Sequence, residues 1–328
     1  MPTLLVFAII LSLVFAFWNG FTDAANAIST IVATRVLTPI KAVIIAALGN
    51  FTGLVFGTAV AETIGKGIVE GRIIDAKFII AVLVGGMTWD IITWFFALPC
   101  SESHVLVGGL IGAGLVAAGV GVVKLEAIIN KVVVPMITSP VIAFIFAFLL
   151  TSLVVRLFVH FSQEKTNFYF RKLQIISSFF LSVTHGANDA QKVMGIITVL
   201  LVQYGFLTDF NVPLWAMLAS YLAISFGTLF GGWRIVRTMA SRITKLRPYQ
   251  GFCAETGGAL VLIGTALAGF PVSTTHAISG SIMGVGAVRR FSAVRWVMAR
   301  KIVYAWILTM PASALFSAIA YFLIDKII

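Results

Sequence analysis

The amino-acid sequence predicts an all-α integral membrane protein built from two inverted-topology repeats with interrupted helices. Three observations lead to this fold class. Hydrophobic residues make up 60% of the 328 residues and charged residues only 11%. Apolar runs of about 20 residues, long enough to cross a bilayer, recur along the chain, and two polar motifs each occur twice in the same order. Only α-helices satisfy their own backbone polar groups in lipid at these lengths, so each run is expected to be helical.

The apolar runs define the expected spans. The first run lacks a preceding basic region and a small-residue cleavage site, so we interpret it as a transmembrane helix and not as a signal peptide. Two of the spans contain polar motifs and are expected to be interrupted there. The expected spans are 4–34 (interrupted), 42–60, 78–97, 105–123, 132–155, 173–206 (interrupted), 212–231, 251–269, 277–288 and 302–324.

The two halves of the chain resemble one another. The stretch NGFTDAANA in the first half aligns with HGANDAQKV in the second, which pairs Asp23 with Asp189 at an offset of 189 − 23 = 166. The stretches PCSESHVLVGGLIGAG and PVSTTHAISGSIMGVG align at an offset of 271 − 99 = 172. We therefore expect a first transmembrane repeat over residues 1–155, a cytoplasmic linker over 156–172 and a second repeat over 173–328.

Charged loops predict the orientation of the repeats. In the second half, the loops RIVRTMASRITKLR and RRFSAVRWVMARK are basic, whereas LTDFN carries no Lys or Arg. The positive-inside rule makes the two basic loops cytoplasmic, which puts both termini outside and makes the motif segments cross in opposite senses. The net charge of +11 thus reports membrane topology, and no nucleic-acid partner is expected. The predicted location is the cell membrane, with multiple passes through the lipid bilayer.

The duplicated motifs are the expected functional site. Inverted repeats are common in secondary transporters, whose substrates bind near the membrane midplane, and ionisable groups at that depth mark such sites. In the second motif a proline ends one apolar segment, and hydroxyl residues precede a new glycine-rich helix whose N-terminus attracts anions. Two such starts facing each other predict a neutral cradle for a tetrahedral oxyanion. Its hydroxyls are those of Ser101, Ser103, Ser273, Thr274 and Thr275.

Carboxylates beside an anion imply cations. Asp23 and Asp189 would repel the anion unless sodium ions, which take oxygen ligands, lie next to them. Asp90 and Glu255 also lie inside spans, and each is a cation ligand, a proton site, part of a buried pair or a residue on a helix face near the membrane interface. Four more residues can supply oxygens for sodium or hydrogen-bond donors for the anion. They are Thr22, Asn26, Asn188 and Gln191.

Each feature also has a structural interpretation. The two aspartates can form a hydrogen-bonded knot, and His104 and His276 can each bond a backbone carbonyl. The repeated glycines are more typical of close helix packing than of ligand contact. Those glycines are Gly108, Gly112, Gly280 and Gly284.

The motifs NGFTDAANA and HGANDAQK, together with the paired P-x-S-x-S-H and P-x-S-T-T-H stretches, resemble the signatures of the inorganic phosphate transporter (PiT) family. The similarity covers essentially the whole chain. It implies sodium- or proton-coupled import of phosphate, re-entrant hairpins, termini outside and, in many members, a homodimer. It also places phosphate and sodium at Thr22, Asp23, Asn26, Asn188, Asp189 and the hydroxyl residues that cap the helices. Thr22 stands where the family often has His or Asn, and Lys192 where many members have Asn, so Lys192 receives no role.

The expected function is secondary active import of inorganic phosphate with sodium, by alternating access, without any enzymatic cofactor. Proton-coupled phosphate transport and sulfate transport are the alternatives within the family. Carboxylates near the anion favour hydrogen phosphate over sulfate, because only the former carries a proton that they can accept. A membrane phosphatase would need a nucleophile and usually an arginine cradle, and no arginine lies in the motifs. A conducting anion channel would not need a buried carboxylate in each repeat.

Overall fold

The computed structural model describes residues 3–327. Within this range the chain forms thirteen α-helices and, apart from one isolated bridge between Val69 and Val123, no β pairing. The all-helical prediction is confirmed. The helices are α1 (Thr3–Ala33), α2 (Pro39–Thr52), α3 (Ala59–Gly67), α4 (Ala76–Phe95), α5 (Glu102–Ala118), α6 (Leu125–Ile128), α7 (Val134–Leu157), α8 (Gln163–Gln203), α9 (Leu214–Phe230), α10 (Trp233–Arg242), α11 (Pro248–Leu267), α12 (Thr274–Arg289) and α13 (Trp296–Ile327).

Several of these helices are suited to a membrane. Within the described residues, five helical segments are long and apolar enough to cross one, and the number is six if α9 and α10, which meet at a bend of 68°, are counted as one span. The helices α5 and α12 have only 17 and 16 residues, or roughly 25 Å each, which is less than the ~30 Å of hydrocarbon. Each of them packs on the helix before it, so α4 with α5 and α11 with α12 form two helical hairpins.

The helices that carry the first motif are continuous. The 31 residues of α1 run through NGFTDAANA, and the 41 residues of α8 run through HGANDAQK, without a break. The prediction that spans 4–34 and 173–206 are interrupted at these motifs is therefore wrong. Gly, Asn and Asp disfavour an isolated helix. Here the polar side chains bond to other helices and the glycine backbone packs against them, so tertiary contacts outweigh local propensity.

The interruptions predicted at the second motif are present. The backbone breaks between α4 and α5 and between α11 and α12. Ser101 and Ser273 cap the new helices, and their hydroxyl oxygens accept hydrogen bonds from the backbone N–H of His104 at 3.4 Å and of His276 at 3.1 Å. A hydroxyl at this position satisfies one of the free N–H groups of the first turn. The two caps occupy equivalent positions of the two halves.

The connection between the halves is shorter than the sequence predicts. Helix α7 ends at Leu157 and α8 begins at Gln163, capped by Ser162, whose hydroxyl oxygen lies 3.3 Å from the backbone nitrogen of Lys165. Most of the polar interval 156–172 is thus the first turns of α8, and only residues 158–162 are non-helical.

The two halves pack by exchanging helices. Helix α1 lies against α9 and α2 lies against α8, while α5 packs on α13 and α12 packs on α7. Because the repeat offset maps α1 onto α8, α2 onto α9, α5 onto α12 and α7 onto α13, each contact has a counterpart with the halves exchanged. The core of the molecule is therefore formed jointly by both halves.

Glycines make these exchanged contacts close. A Cβ atom on Gly20 of α1 would lie 2.9 Å from the Cα of Ile224, and one on the equivalent Gly186 of α8 would lie 2.7 Å from the Cα of Asn50. The four glycines of the second motif also face the backbone of a neighbouring helix, which confirms their interpretation as packing residues. Gly108 and Gly112 face α13, and Gly280 and Gly284 face α7.

Candidate functional site

The first motif and the second motif meet in the middle of the molecule. Asp23 on α1 is 5% exposed and Asp189 on α8 is fully buried. The Thr275 hydroxyl donates to Oδ1 of Asp23 at 3.2 Å, and the Thr274 hydroxyl lies 3.5 Å from Oδ2 of Asp23 and 3.3 Å from Oδ2 of Asp189. One helix start therefore contacts carboxylates from both halves of the chain.

Of the two predicted amides, Asn26 bonds to this helix start, whereas Asn188 bonds to backbone carbonyls of α8 and α11. The Asn26 side-chain nitrogen donates to the hydroxyls of Thr274 at 3.1 Å and Thr275 at 2.9 Å. The Asn188 side-chain nitrogen donates to the carbonyls of Thr184 at 2.8 Å and Leu262 at 3.1 Å. Both amide oxygens are buried and accept no hydrogen bond within the part of the chain described. Each asparagine thus holds a free oxygen of the kind that binds a hard cation.

Asp189 is already paired with basic side chains. The Lys192 ammonium, 1% exposed, forms an ion pair with Oδ1 of Asp189, and Nε2 of His185 lies 3.0 Å from Oδ2. Nδ1 of His185 lies 2.9 Å from the amide oxygen of Asn50, whose nitrogen donates to the Thr228 hydroxyl at 2.8 Å. Lys192, which received no role from the sequence, is therefore the fixed counter-charge of Asp189.

The two halves differ at the positions that neutralise the aspartates. The offset of 166 places Asn26 where the second half has Lys192, and Asn19 where it has His185. Within residues 3–327 no basic side chain lies within ion-pair distance of Asp23. Asp23, His185 and Asp189 nevertheless place one ligand atom each within 4.8 Å of one another. Asp23 on α1 is therefore the carboxylate whose charge a cation bound here would offset.

Glu102 is a site residue that the sequence reasoning missed. It is 2% exposed, it begins α5, and its Oε1 accepts a hydrogen bond from the Thr22 hydroxyl at 2.8 Å. A carboxyl group therefore stands at the first helix start, where the sequence predicted hydroxyl groups alone. The repeat alignment carried the signal, since the offset of 172 places Glu102 opposite Thr274.

The hydroxyl of Ser103 joins the two helix starts. It donates to the carbonyl of Val272, next to the Ser273 cap, at 2.6 Å. The rings of His104 and His276 lie 4.8 Å apart between centroids, and His276 stacks on Trp306 at 3.7 Å. These contacts bring the starts of α5 and α12 together, as the cradle model requires. They also mean that the Ser103 hydroxyl already has a protein acceptor.

Asp90 extends the acidic side of the site. It is 1% exposed, and both of its carboxyl oxygens lack a hydrogen-bond donor in the described range. Asp23 and Glu102, like Asp90, are at most 5% exposed. Buried carboxyl groups that neighbour one another are not all ionised without counter-charges.

Two predicted sodium ligands lie apart from this cluster. Glu255 accepts hydrogen bonds from Thr30 at 2.6 Å, from Gln174 at 3.0 Å and from Ser177. The side-chain oxygen of Gln191 accepts a hydrogen bond from the backbone N–H of Val60 at 2.9 Å. Neither side chain bonds to Asp23 or Asp189. Glu255 is thus a separate buried carboxyl group between α1, α8 and α11.

Comparisons with known proteins identify the family of the chain. The model of the "Phosphate transporter family" matches residues 19–165 and, separately, residues 159–317. The chain belongs to this family. A Rhizobium meliloti (strain 1021) protein named as a probable low-affinity inorganic phosphate transporter is 52% identical over 326 residues, which cover 99% of this chain and 97% of the relative. A Bacillus subtilis (strain 168) protein of the same name is 42% identical, over 99% of this chain and 98% of the relative.

A solved structure shares the fold. "The sodium-dependent phosphate transporter" superposes with a TM-score of 0.89 at 26% identity and covers 99% of this chain and 100% of that one. Family membership confirms the resemblance drawn from the motifs. It also confirms that the chain is a multi-pass membrane transporter of the phosphate transporter family and not a phosphatase.

Proposed function

We propose that this protein imports inorganic phosphate together with sodium by alternating access. The observation that carries the proposal is the position of Thr274 and Thr275, whose hydroxyls contact Asp23 from one half and Asp189 from the other. An anion held at the start of α12 and a cation held by the carboxylates would then share one site. Binding of either would favour the other, because each offsets the charge that the other brings into a poorly solvated place.

Phosphate would bind at the helix starts. The first turn of α12 offers free N–H groups and the positive end of the helix dipole. The hydroxyls of Ser273, Thr274 and Thr275 would add hydrogen bonds, and Lys192, three residues from Asp189 on α8, would supply a positive charge. From α1, Asn26 reaches the start of α12 and Thr22 reaches the start of α5. Asn188 completes the proposed set from α8.

Sodium would bind beside Asp23. This carboxylate has hydroxyl neighbours but no basic partner, and the free amide oxygen of Asn26 lies on the same helix. Asp189 and His185 each place a ligand atom within 4.8 Å of one on Asp23, but Lys192 already compensates Asp189. The coupling ion is therefore expected to depend more on Asp23 than on its repeat equivalent. Asp90 and Glu255 are proposed only as further cation ligands.

Alternating access would use the exchanged packing of the halves. If the repeats are inverted in the membrane, rocking of one hairpin opens the site to one side, and the equivalent movement of the other hairpin opens it to the other side. This proposal keeps both termini outside and the connection after α7 in the cytoplasm. Many transporters of this architecture are dimers, and we propose a homodimer here.

Proton coupling is a second candidate. It is favoured by the buried group of Asp23, Asp90 and Glu102, in which a proton can take the place of a metal cation. Lys192 also forms an ion pair with Asp189, so the second half has a basic side chain where the first half has Asn26.

Uptake of labelled phosphate into proteoliposomes separates the two candidates. We expect an inward sodium gradient at equal pH to drive uptake, and an inward proton gradient in sodium-free potassium buffer to drive little. Excess sulfate should not compete. The variant Asp23→Asn should lose the sodium effect, whereas Asp209→Asn, an exposed aspartate in the loop before α9, should keep it. Uptake that follows only the pH gradient would reject sodium as the coupling ion and favour the second candidate.

A further inference from the structure

A basic cavity lies at the end of the α11–α12 hairpin away from the candidate site. It encloses about 610 Å³ and is formed by the loop between α10 and α11, the end of α12 and the segment before α13. The 16 residues of α12 separate it from the Ser273 cap, a distance of roughly 24 Å at 1.5 Å per residue. The basic side chains that line it are Lys245, Arg247, Arg289, Arg290 and Arg295.

The cavity has no acidic group to balance these charges. Its other polar residues are Thr244, Tyr249, Gln250 and Ser292. Within the described chain none of the five basic residues forms an ion pair with a carboxylate. All five basic side chains are exposed, so water and salt screen their mutual repulsion, but their charges add around one space and attract an anion to it.

The walls of the cavity are fixed by hydrogen bonds. The backbone N–H of Arg295 donates to the carbonyl of Ile243 at 3.0 Å, and the Arg295 guanidinium donates to the carbonyl of Ser241 at 3.0 Å. The Thr244 hydroxyl donates to the carbonyl of Ala293 at 3.1 Å. These bonds tie the loop before α11 to the segment before α13. The cavity therefore exists before any ligand arrives.

The first half provides an internal comparison. There the backbone N–H of Lys124 donates to the carbonyl of Ile68 at 3.0 Å and joins the segment after α5 to the residue after α3, as the Arg295–Ile243 bond joins the segment after α12 to the residue after α10. The N-cap of α4 is Asp75, and the offset of 172 places Arg247 at the N-cap of α11. A carboxylate at a helix N-terminus is stabilised by the helix dipole, whereas a cation there is not. The second half thus keeps the backbone arrangement and reverses the charge.

Membrane topology alone accounts for a basic loop, but not for this convergence. The positive-inside rule requires Lys and Arg somewhere in a cytoplasmic loop. Exposed Arg237 and Arg242 on α10 meet that requirement without facing the cavity. The five lining residues instead come from three separate segments and surround one space.

We propose that this cavity binds a multivalent phosphorylated anion, either a soluble polyphosphate or the phosphomonoester headgroup of an anionic lipid. A single hydrogen phosphate carries two charges and can pair with few of the five cations, whereas a chain of phosphates can reach residues on all three segments. Arginine binds phosphate oxygens with two parallel hydrogen bonds, which makes it well suited to this ligand. A bound polyanion joins the base of the hairpin to α10 and α13.

Binding of tripolyphosphate to the purified full-length protein in detergent tests the proposal. Calorimetry should give one site per chain, with an affinity that falls as salt rises and that excess inorganic phosphate does not abolish. The double variant Arg289→Gln/Arg290→Gln should bind on the order of tenfold more weakly, since charge-assisted hydrogen bonds are lost. The control Arg237→Gln/Arg242→Gln removes the same charge from outside the cavity and should bind as the natural sequence does.

A second arm identifies the source of the anion. The protein is placed in phosphatidylcholine nanodiscs with or without phosphatidic acid, and tripolyphosphate binding is measured again. Loss of that binding only in the presence of phosphatidic acid assigns the cavity to a lipid headgroup, and unchanged binding assigns it to a soluble polyphosphate. Equal affinities in the two double variants, or no binding of tripolyphosphate to the natural sequence in detergent, would overturn the proposal. The transport activity of the central site does not enter either measurement.

Discussion

The ion pair between Asp189 and Lys192 yields a quantitative prediction. Both side chains are at most 1% exposed, and they are three residues apart on α8. Removal of one partner of a buried pair costs about 3–5 kcal/mol because the other charge is left uncompensated. Lys192→Asn leaves His185 at 3.0 Å from Asp189, so we expect a loss of stability near the lower end, about 3 kcal/mol. Asp189→Asn strands the lysine and the histidine together, so its loss is expected near 5 kcal/mol.

The double variant decides whether the pair acts as a unit. With both residues changed to Asn, no buried lysine or carboxylate remains at these positions. Its loss should therefore be smaller than the sum of the single losses by about 2–3 kcal/mol. Unfolding of detergent-solubilised protein in chemical denaturant gives the three free energies, with Lys165→Asn, an exposed lysine at the start of α8, as the control. Additive losses, within about 0.5 kcal/mol, would refute the buried ion pair.

Three further predictions concern other parts of the site and its packing. Gly186→Val should prevent α8 from approaching α2, since a Cβ there would lie 2.7 Å from the Cα of Asn50. The yield of folded protein should collapse, while the control Gly121→Val, at a position in open space, should express normally. Thr275→Ala removes a hydroxyl from Asp23 and Asn26 and should weaken phosphate binding about fivefold, or ~1 kcal/mol, in equilibrium binding experiments; unchanged affinity would contradict its place in the cradle. Glu102→Gln removes an acidic group from a helix start, so phosphate should bind more tightly while coupled uptake falls. Weaker phosphate binding with normal uptake would count against this role of Glu102.

Local features of the chain were predicted well. The two serine caps, the helix starts after PCSES and PVSTT, and the packing role of the four motif glycines follow from interactions within a few residues or from spacing along one helix. The break expected at NGFTDAANA and HGANDAQK was wrong because this expectation also rested on local propensity. Propensity describes an isolated segment, whereas α1 and α8 are held straight by partners on other helices.

The sequence by itself determined the membrane class, the duplication and the candidate motifs, because apolar composition, repeat offset and helix-capping chemistry are all properties of the chain before it folds. Only the tertiary structure decided which charges meet. It paired Lys192 with Asp189, brought Glu102 to Thr22 across 80 positions of sequence, joined Asn26 to Thr275 across 249, and kept Glu255 apart from the central cluster. Such contacts depend on how two halves exchange helices in space, and charges that share one buried site compensate each other according to distance and not according to their order in the chain.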